Sequence, residues 1–292
     1  MFDNILVPTD GSDCAQAAVG YAEDLARRYD ATVHALCVAD SRLLENAPHY
    51  DEVKKERAAT AERTCNDLSA EGIRVERAVR TDVPHEAILR YARAHDVDLV
   101  VMGTHGRTGV ERFLLGSVTE KVLRLSDVPV LTVKADADAE GDADGGATPL
   151  FSDVLVPTDG SEGALAAVDP ALSVTDAYDA TLHTISVADV RSLGPEIRTD
   201  TILDQLVKAA RAAVDDVETR ARGAGVDSVA TAVEVGYPYS ELKSYVEDHD
   251  IDLVVMGTHG RSGISRYLLG SVTEKLVRTS PVPVMTVRRP DS

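Results

Sequence analysis

The chain has 292 residues, enough for about two domains on a prior of roughly 150 residues each. It carries 49 Asp and Glu against 30 Lys and Arg, a formal net charge of −19, which excludes a nucleic-acid surface built on clustered cations. Its three cysteines, Cys14, Cys37 and Cys65, form no CxxC pair, which excludes zinc-site and thioredoxin-like readings.

In chain order, Asn4–Pro8 reads as a short apolar strand that ends in the turn PTDGS. Ser12–Tyr29 reads as a helix with Ala15, Ala18, Ala22 and Leu25 on one face. Thr32–Val38 is β-rich. Residues 50–70 form a charged amphipathic helix that Gly72 stops. Val75–Arg80 is a strand, and Pro84–His95 is a helix with proline at its start. Asp98–Met102 is a continuous apolar run, as expected of a strand buried on both faces. A helix over Ser117–Leu125 and a last strand over Val128–Val133 complete the series. This alternation predicts an α/β fold: an open, mostly parallel five-stranded sheet with helices on both faces. Ligands in such sheets bind beyond the carboxyl ends of the strands, where the strand order reverses.

The series occurs twice. Residues 97–134 and 251–288 are identical at 27 of 38 positions, and FDNILVPTDGSDCAQAAV at 2–19 matches FSDVLVPTDGSEGALAAV at 151–168. The offset between copies is 149 at the first match and 154 at the second, so five net residues have entered the middle of the second copy. The expected layout is a domain over 1–134, a linker over 135–149 and a domain over 150–292. The linker holds five acids, three glycines and no base, which suits a charged, extended tether. Arginines number 23 against seven lysines, and an acidic, Lys-poor surface suits concentrated salt, where screening suppresses self-repulsion. A halophilic protein is therefore expected, with stability and solubility that change between dilute and molar KCl. No apolar run approaches the ~18 residues of a membrane span. The odd thiol count and an N-terminus that runs straight into a strand pattern lead us to expect a cytoplasmic location.

Each copy carries Gly-x2-Gly-x9-Gly-Ser: Gly103, Gly106, Gly116, Ser117 and Gly257, Gly260, Gly270, Ser271. Gly103 ends a strand, where a bare backbone admits a ligand closely, and Gly106 and Gly109 leave the loop free to turn. Gly116–Ser117 opens a helix whose unpaired N–H groups and positive dipole end suit phosphate, with Ser117 and Thr119 as added hydroxyl donors. The competing reading is a capping box, with Ser117 as N-cap and Glu120 three residues on. No GxxxxGK[ST] and no GxGxxG follows the first strand, which argues against a kinase or a nicotinamide dehydrogenase. Asp10 and Asp159 are candidates for a ribose contact or for Mg2+ carried by phosphates, and equally for an Asx turn or helix cap. His105 and His259 lie inside the glycine loops, followed by Arg107 and Arg261 as candidate phosphate partners. No Ser-His-Asp or Cys-His set accompanies them, so no catalytic residue is assigned. Cys14 stands near a helix start, where a thiol pKa can fall, or is a small packed residue; the second copy has Gly163 there.

These motifs resemble the universal stress protein family. The likeness rests on ILVPTDGS and VLVPTDGS, on DLVVMGTHGR[TS]G, on LLGSVTEK and on the closing VPV strands, and it spans both copies almost end to end. The glycine spacing looks like the ATP-binding version of that family. The resemblance implies adenine and ribose contacts from Pro8, Asp10 and Val38, and phosphate and ribose contacts from Met102, Gly103, Gly106, Gly116, Ser117, Val118 and Thr119. The matching positions in the second copy are Pro157, Asp159, Val187, Met256, Gly257, Gly260, Gly270, Ser271, Val272 and Thr273. It also implies the Rossmann-like strand order 3-2-1-4-5. Val128–Val133 and Val282–Val287 are then exposed apolar edges, expected to pair with each other as an intrachain pseudo-dimer; dimerisation of whole chains stays open. One departure is Asp82 before Val83-Pro84, where the second copy keeps Gly236-Tyr237-Pro238; a carboxylate there is expected to weaken a polyanion at the first site. The function implied is an adenine-nucleotide-binding stress-response protein, with ATP first and AMP or a cyclic nucleotide as other ligands. The alternatives are a slow Mg-dependent ATPase and a nucleotide-free protein-interaction module.

Overall fold

The computed structural model describes residues 1–44, 50–106, 115–135, 150–190, 200–260 and 269–289. Arg107, Gly109, Arg261 and linker positions 136–149 lie outside the described residues. The chain divides into two compact units, Met1–Ala147 and Thr148–Ser292.

The first unit runs β1 (Asn4–Pro8), α1 (Asp13–Tyr29), β2 (Thr32–Asp40), α2 (Ser41–Leu44), α3 (Tyr50–Ala70), β3 (Arg74–Asp82), α4 (Pro84–Ala94), β4 (Leu99–Gly103), α5 (Ser117–Leu125) and β5 (Val130–Val133). The second runs β6 (Asp153–Pro157), α6 (Glu162–Leu165), α7 (Val168–Tyr178), β7 (Thr181–Asp189), α8 (Asp200–Gly223), β8 (Val229–Gly236), α9 (Pro238–Asp248), β9 (Leu253–Gly257), α10 (Ser271–Thr279) and β10 (Val284–Val287). Within the first unit the strand order is β3-β2-β1-β4-β5; within the second it is β8-β7-β6-β9-β10. The strand pairs described are all parallel. Order therefore reverses between β1 and β4, and between β6 and β9, which opens a crevice at the carboxyl ends of those strands.

The central strands carry the core. β4 and β9 both read LVVMG and are buried along their whole length. On α1 the buried stripe Ala15, Ala18, Ala22 and Leu25 faces the sheet, as the helical period requires. A carboxylate ties the start of the first strand to the start of the fourth. Asp98 Oδ2 accepts from the Asp3 and Asn4 N–H groups at 2.9 Å each. Asp252 Oδ2 does the same for Ser152 at 2.7 Å and Asp153 at 3.0 Å. These bonds fix the β1–β4 and β6–β9 registers, and with them the crevice.

The first helix differs between units. α1 is continuous, whereas its counterpart is broken into α6 and α7. Pro170, in the first turn of α7, has no N–H and its ring collides with the carbonyl four residues back, so one continuous helix cannot form through it. Among the described residues, no helix is long and apolar enough to cross a membrane.

Candidate functional site

At the strand reversal of the second unit lies a cavity of about 410 Å³. That is within the ~300–1,000 Å³ usual for small-molecule sites. All ten second-copy candidates line it: Pro157, Asp159, Val187, Met256, Gly257, Gly260, Gly270, Ser271, Val272 and Thr273. His259 joins them, along with Leu206 and Ala210 of α8, Pro238 and Leu242 of α9, and the β7 end from Ile185 to Asp189. Leu206, Ala210 and Leu242 belong to no motif. Their only trace in the sequence is helical periodicity, which marks a helix face as inward without saying that the face borders a ligand.

In the first unit, Pro8 ends β1, Asp10 follows in the turn, Val38 lies near the end of β2, and Met102 and Gly103 end β4. Gly116 caps α5, and Ser117, Val118 and Thr119 make its first turn. Gly106 stands against Asp10: a Cβ on Gly106 would lie 2.7 Å from Asp10 Oδ2, and one on Gly260 would lie 2.5 Å from Asp159 Oδ2. Loop and turn thus meet at a carboxylate in both units. Oδ1 of Asp10 accepts from Ser12 N–H at 3.0 Å, and Oδ1 of Asp159 accepts from Ser161 N–H at 2.9 Å. The Asx turn is real, and the helix cap lies two residues on: Ser12 and Ser161 accept from Ala15 and Ala164.

Three readings of the glycine motif are corrected. First, Ser117 is not an N-cap. The caps of α5 and α10 are Gly116 and Gly270, which make no side-chain cap bond. Glu120 is turned to Arg124 at 2.6 Å and Glu274 to Arg278 at 2.8 Å, so no capping box forms. The first intrahelical bonds are Glu120 N–H to Gly116 O and Glu274 N–H to Gly270 O. Among the described residues, the N–H groups of Ser117, Val118 and Thr119, and of Ser271, Val272 and Thr273, meet no acceptor and are left for an outside one. Second, the hydroxyls of Thr119 and Thr273 are buried and donate to Gly103 O at 2.9 Å and Gly257 O at 3.0 Å. Each hydroxyl has one proton, so these residues offer a phosphate only their backbone N–H. Third, the close neighbour of Gly103 is α1. A Cβ there would lie 2.7 Å from Cys14 Cβ and 2.8 Å from Cys14 C, and one on Gly257 would run into the Gly163 backbone. Bare glycine at the strand end lets the first helix pack onto the sheet.

The histidines are also placed. His105 Nδ1 is 2.9 Å from Thr104 Oγ1, and its Nε2 is buried without a partner among the described residues. Burial, then the nearby Lys134, pushes its pKa below the ordinary value, so the ring is neutral at pH 7. His259 Nδ1 is 3.0 Å from Thr258 Oγ1. Asp82 does not face a ligand unanswered: Oδ1 accepts from Val83 N–H at 2.8 Å and Oδ2 pairs with Arg90 at 2.7 Å. No group of three or more potential metal ligands occurs among the described residues. The cysteines are free thiols; Cys65 is pushed up by burial.

Two parallel α/β units with their strand order reversed between the first and fourth strands, and in the second unit a cavity at that reversal beside an open helix start, define the class of fold and site. The sequence matches the family model of the Universal stress protein family over residues 1–134 and 151–288, and the chain belongs to that family as a tandem of two such segments. A universal stress protein of Methanocaldococcus jannaschii is 36% identical over 141 residues, which cover 46% of this chain and 83% of that one. Universal stress protein YxiE of Bacillus subtilis is 31% identical over 148 residues, 46% of this chain and 100% of the relative. The crystal structure of a universal stress protein from Archaeoglobus fulgidus is similar over 98% of both chains, with 25% identity and a TM-score of 0.73.

Proposed function

We propose that this protein binds adenine nucleotides, ATP first, in the crevice of each unit, and that binding orders the glycine loops and changes the surface offered to a partner in a stress response. The observation that carries this reading is the second cavity, where all ten candidate residues meet above a helix start with three unanswered N–H groups. An apolar slot beside an anion-binding helix end suits a ligand with a flat base and phosphates. The device is a ligand-shifted equilibrium and needs no chemistry. Asp10 and Asp159 each have one carboxylate oxygen in the Asx turn and a second toward the loop, which fits the one or two carboxylates that Mg2+ takes when it arrives on phosphates. AMP and cyclic nucleotides satisfy the same helix start and are the competitors to include. We further propose that β5 and β10, short apolar strands ending their unit's strand order, pair within the chain as a pseudo-dimer.

Calorimetric titration with ATP and Mg2+ tests the nucleotide reading, with AMP and a cyclic nucleotide run beside it. Saturable ATP binding is expected. Nucleotide-free protein from cells that shows no heat with any of the three would leave a protein-interaction module instead. Turnover that survives purification and is lost in an Asp10→Ala/Asp159→Ala double variant would add ATPase activity.

A further inference from the structure

The two crevices differ on one wall. Thr60, Ala61, Thr64 and Leu68 form the buried stripe of α3, and Ala213, Val214, Val217 and Ala221 form that of α8 at the same spacing. Beyond each helix stands a glycine with positive φ, Gly72 at 80° and Gly225 at 90°. Arg57 precedes Gly72 by 15 residues, and Ala210 precedes Gly225 by the same 15. Stripe and glycine agree: Arg57 stands in the first unit where Ala210 stands in the second.

In the second unit, Ala210 and Asp159 line one open cavity. In the first, the corresponding residues are joined, because Arg57 Nη1 donates to the Asp10 carbonyl oxygen at 3.1 Å. That bond sets the guanidinium against the turn whose counterpart in the second unit borders the open cavity together with Ala210. Its Nε is buried and meets no acceptor among the described residues. A buried donor without a partner is unfavourable, so this arginine is not held by a full set of bonds and can be displaced. α3 packs on β2 and β3. The guanidinium therefore lies on the β2 side of the crevice, at the turn that follows Pro8.

We propose that Arg57 is a resident occupant of the first crevice and makes the two nucleotide sites unequal. The second unit takes the base directly. The first admits it only after Arg57 has left Asp10. This rests on the nucleotide reading above and names the residue that sets the affinity difference.

The test is calorimetric titration of the full chain with ATP and Mg2+ on wild type, Arg57→Ala, Arg57→Ser and Ala210→Arg, with circular dichroism to establish that each is folded. Wild type is expected to show one tight site and a second about tenfold weaker or more, a difference of roughly 1.4 kcal/mol or above. Either substitution at Arg57 is expected to bring the weak site to within about threefold of the tight one, and Ala210→Arg to weaken the tight one by about tenfold. Two equal sites in wild type, or a weak site that neither Arg57 variant improves, would overturn the proposal while the nucleotide reading stands. Absence of ATP binding in all four proteins would overturn that reading and this inference with it.

Discussion

The helix-start ends of the two crevices are near copies, and the opposite ends are not. Gly116 and Gly270 cap their helices in the same extended geometry, and Thr119 and Thr273 make the same bond to the strand end. On the far wall Arg57 bridges to Asp10, whereas Ala210 leaves open space beside Asp159. The loop and helix start come from the segment with 27 of 38 identities; the far wall comes from the part that gained residues. Duplication has kept the helix-start half of each crevice and let the far wall diverge. A second contrast lies at the opposite end of the sheet. His34 has the amide oxygen of Asn4 at 3.3 Å from Nε2, and His183 has the carboxylate of Asp153 at 2.9 Å. Tyr91 and Tyr245 meet the other ring nitrogen in both.

The largest effect expected from a single change is at the strand-end glycines. Gly103→Ala forces a methyl against Cys14, and Gly257→Ala forces one into the Gly163 backbone, where even less room exists. Overpacking of this kind costs about 1–3 kcal/mol, and Gly257→Ala should stand at the upper end. Denaturant titration of the two variants checks the order; a milder Gly257→Ala would break the contrast. Next comes the hydroxyl at the helix start. Thr119→Val and Thr273→Val each remove a buried bond to a carbonyl and should each destabilise by about 1 kcal/mol, equally in the two units. Unequal losses would mean that the helix-start ends are less alike than they look.

The smallest effect is in pH dependence. Burial, opposed by Glu76, keeps the His34 pKa below the ordinary 6.5. The unfolded chain binds this proton near ~6.5, so on acidification it gains protons that the native state refuses, and stability falls as pH drops below that value. Asn4→Asp places a carboxylate where the second unit has one. It should raise the native His34 pKa and flatten the acid loss, measured by denaturant titrations at pH 7 and pH 5 with the His34 ring followed by NMR.

Much of each unit was legible in the sequence. The strand at Asn4–Pro8 and the helix at Ser117–Leu125 have the expected bounds, because an apolar run ending at a Pro-Thr-Asp-Gly turn and a glycine before a helical pattern leave few alternatives. The capping box was misleading because S-x-x-E records spacing only. Gly116 adopts φ −61° and ψ 139°, which makes it the cap and moves Ser117 one place into the helix. The second crevice was found through its glycines, while Leu206, Ala210 and Arg57 stayed hidden. They come from helices whose sequence reports a buried face but not what that face meets. Asp82 was conspicuous by contrast with Gly236, yet its charge is answered by Arg90, a pairing that depends on where α4 packs.

The identical strands carry a consequence for how the chain is made. Ile5 pairs with Leu99, so the central seam of the first unit closes only when nearly the whole copy has left the ribosome. The same five letters, LVVMG, return in β9, and β6 differs little from β1. Each of these strands is an acceptable neighbour for the other copy's partner, and such exchange is the characteristic misassembly of repeated domains. Vectorial synthesis favours the native choice, since β4 follows β1 out of the ribosome before β9 is made. A chain refolding from denaturant meets all four strands at once and has lost that ordering in time.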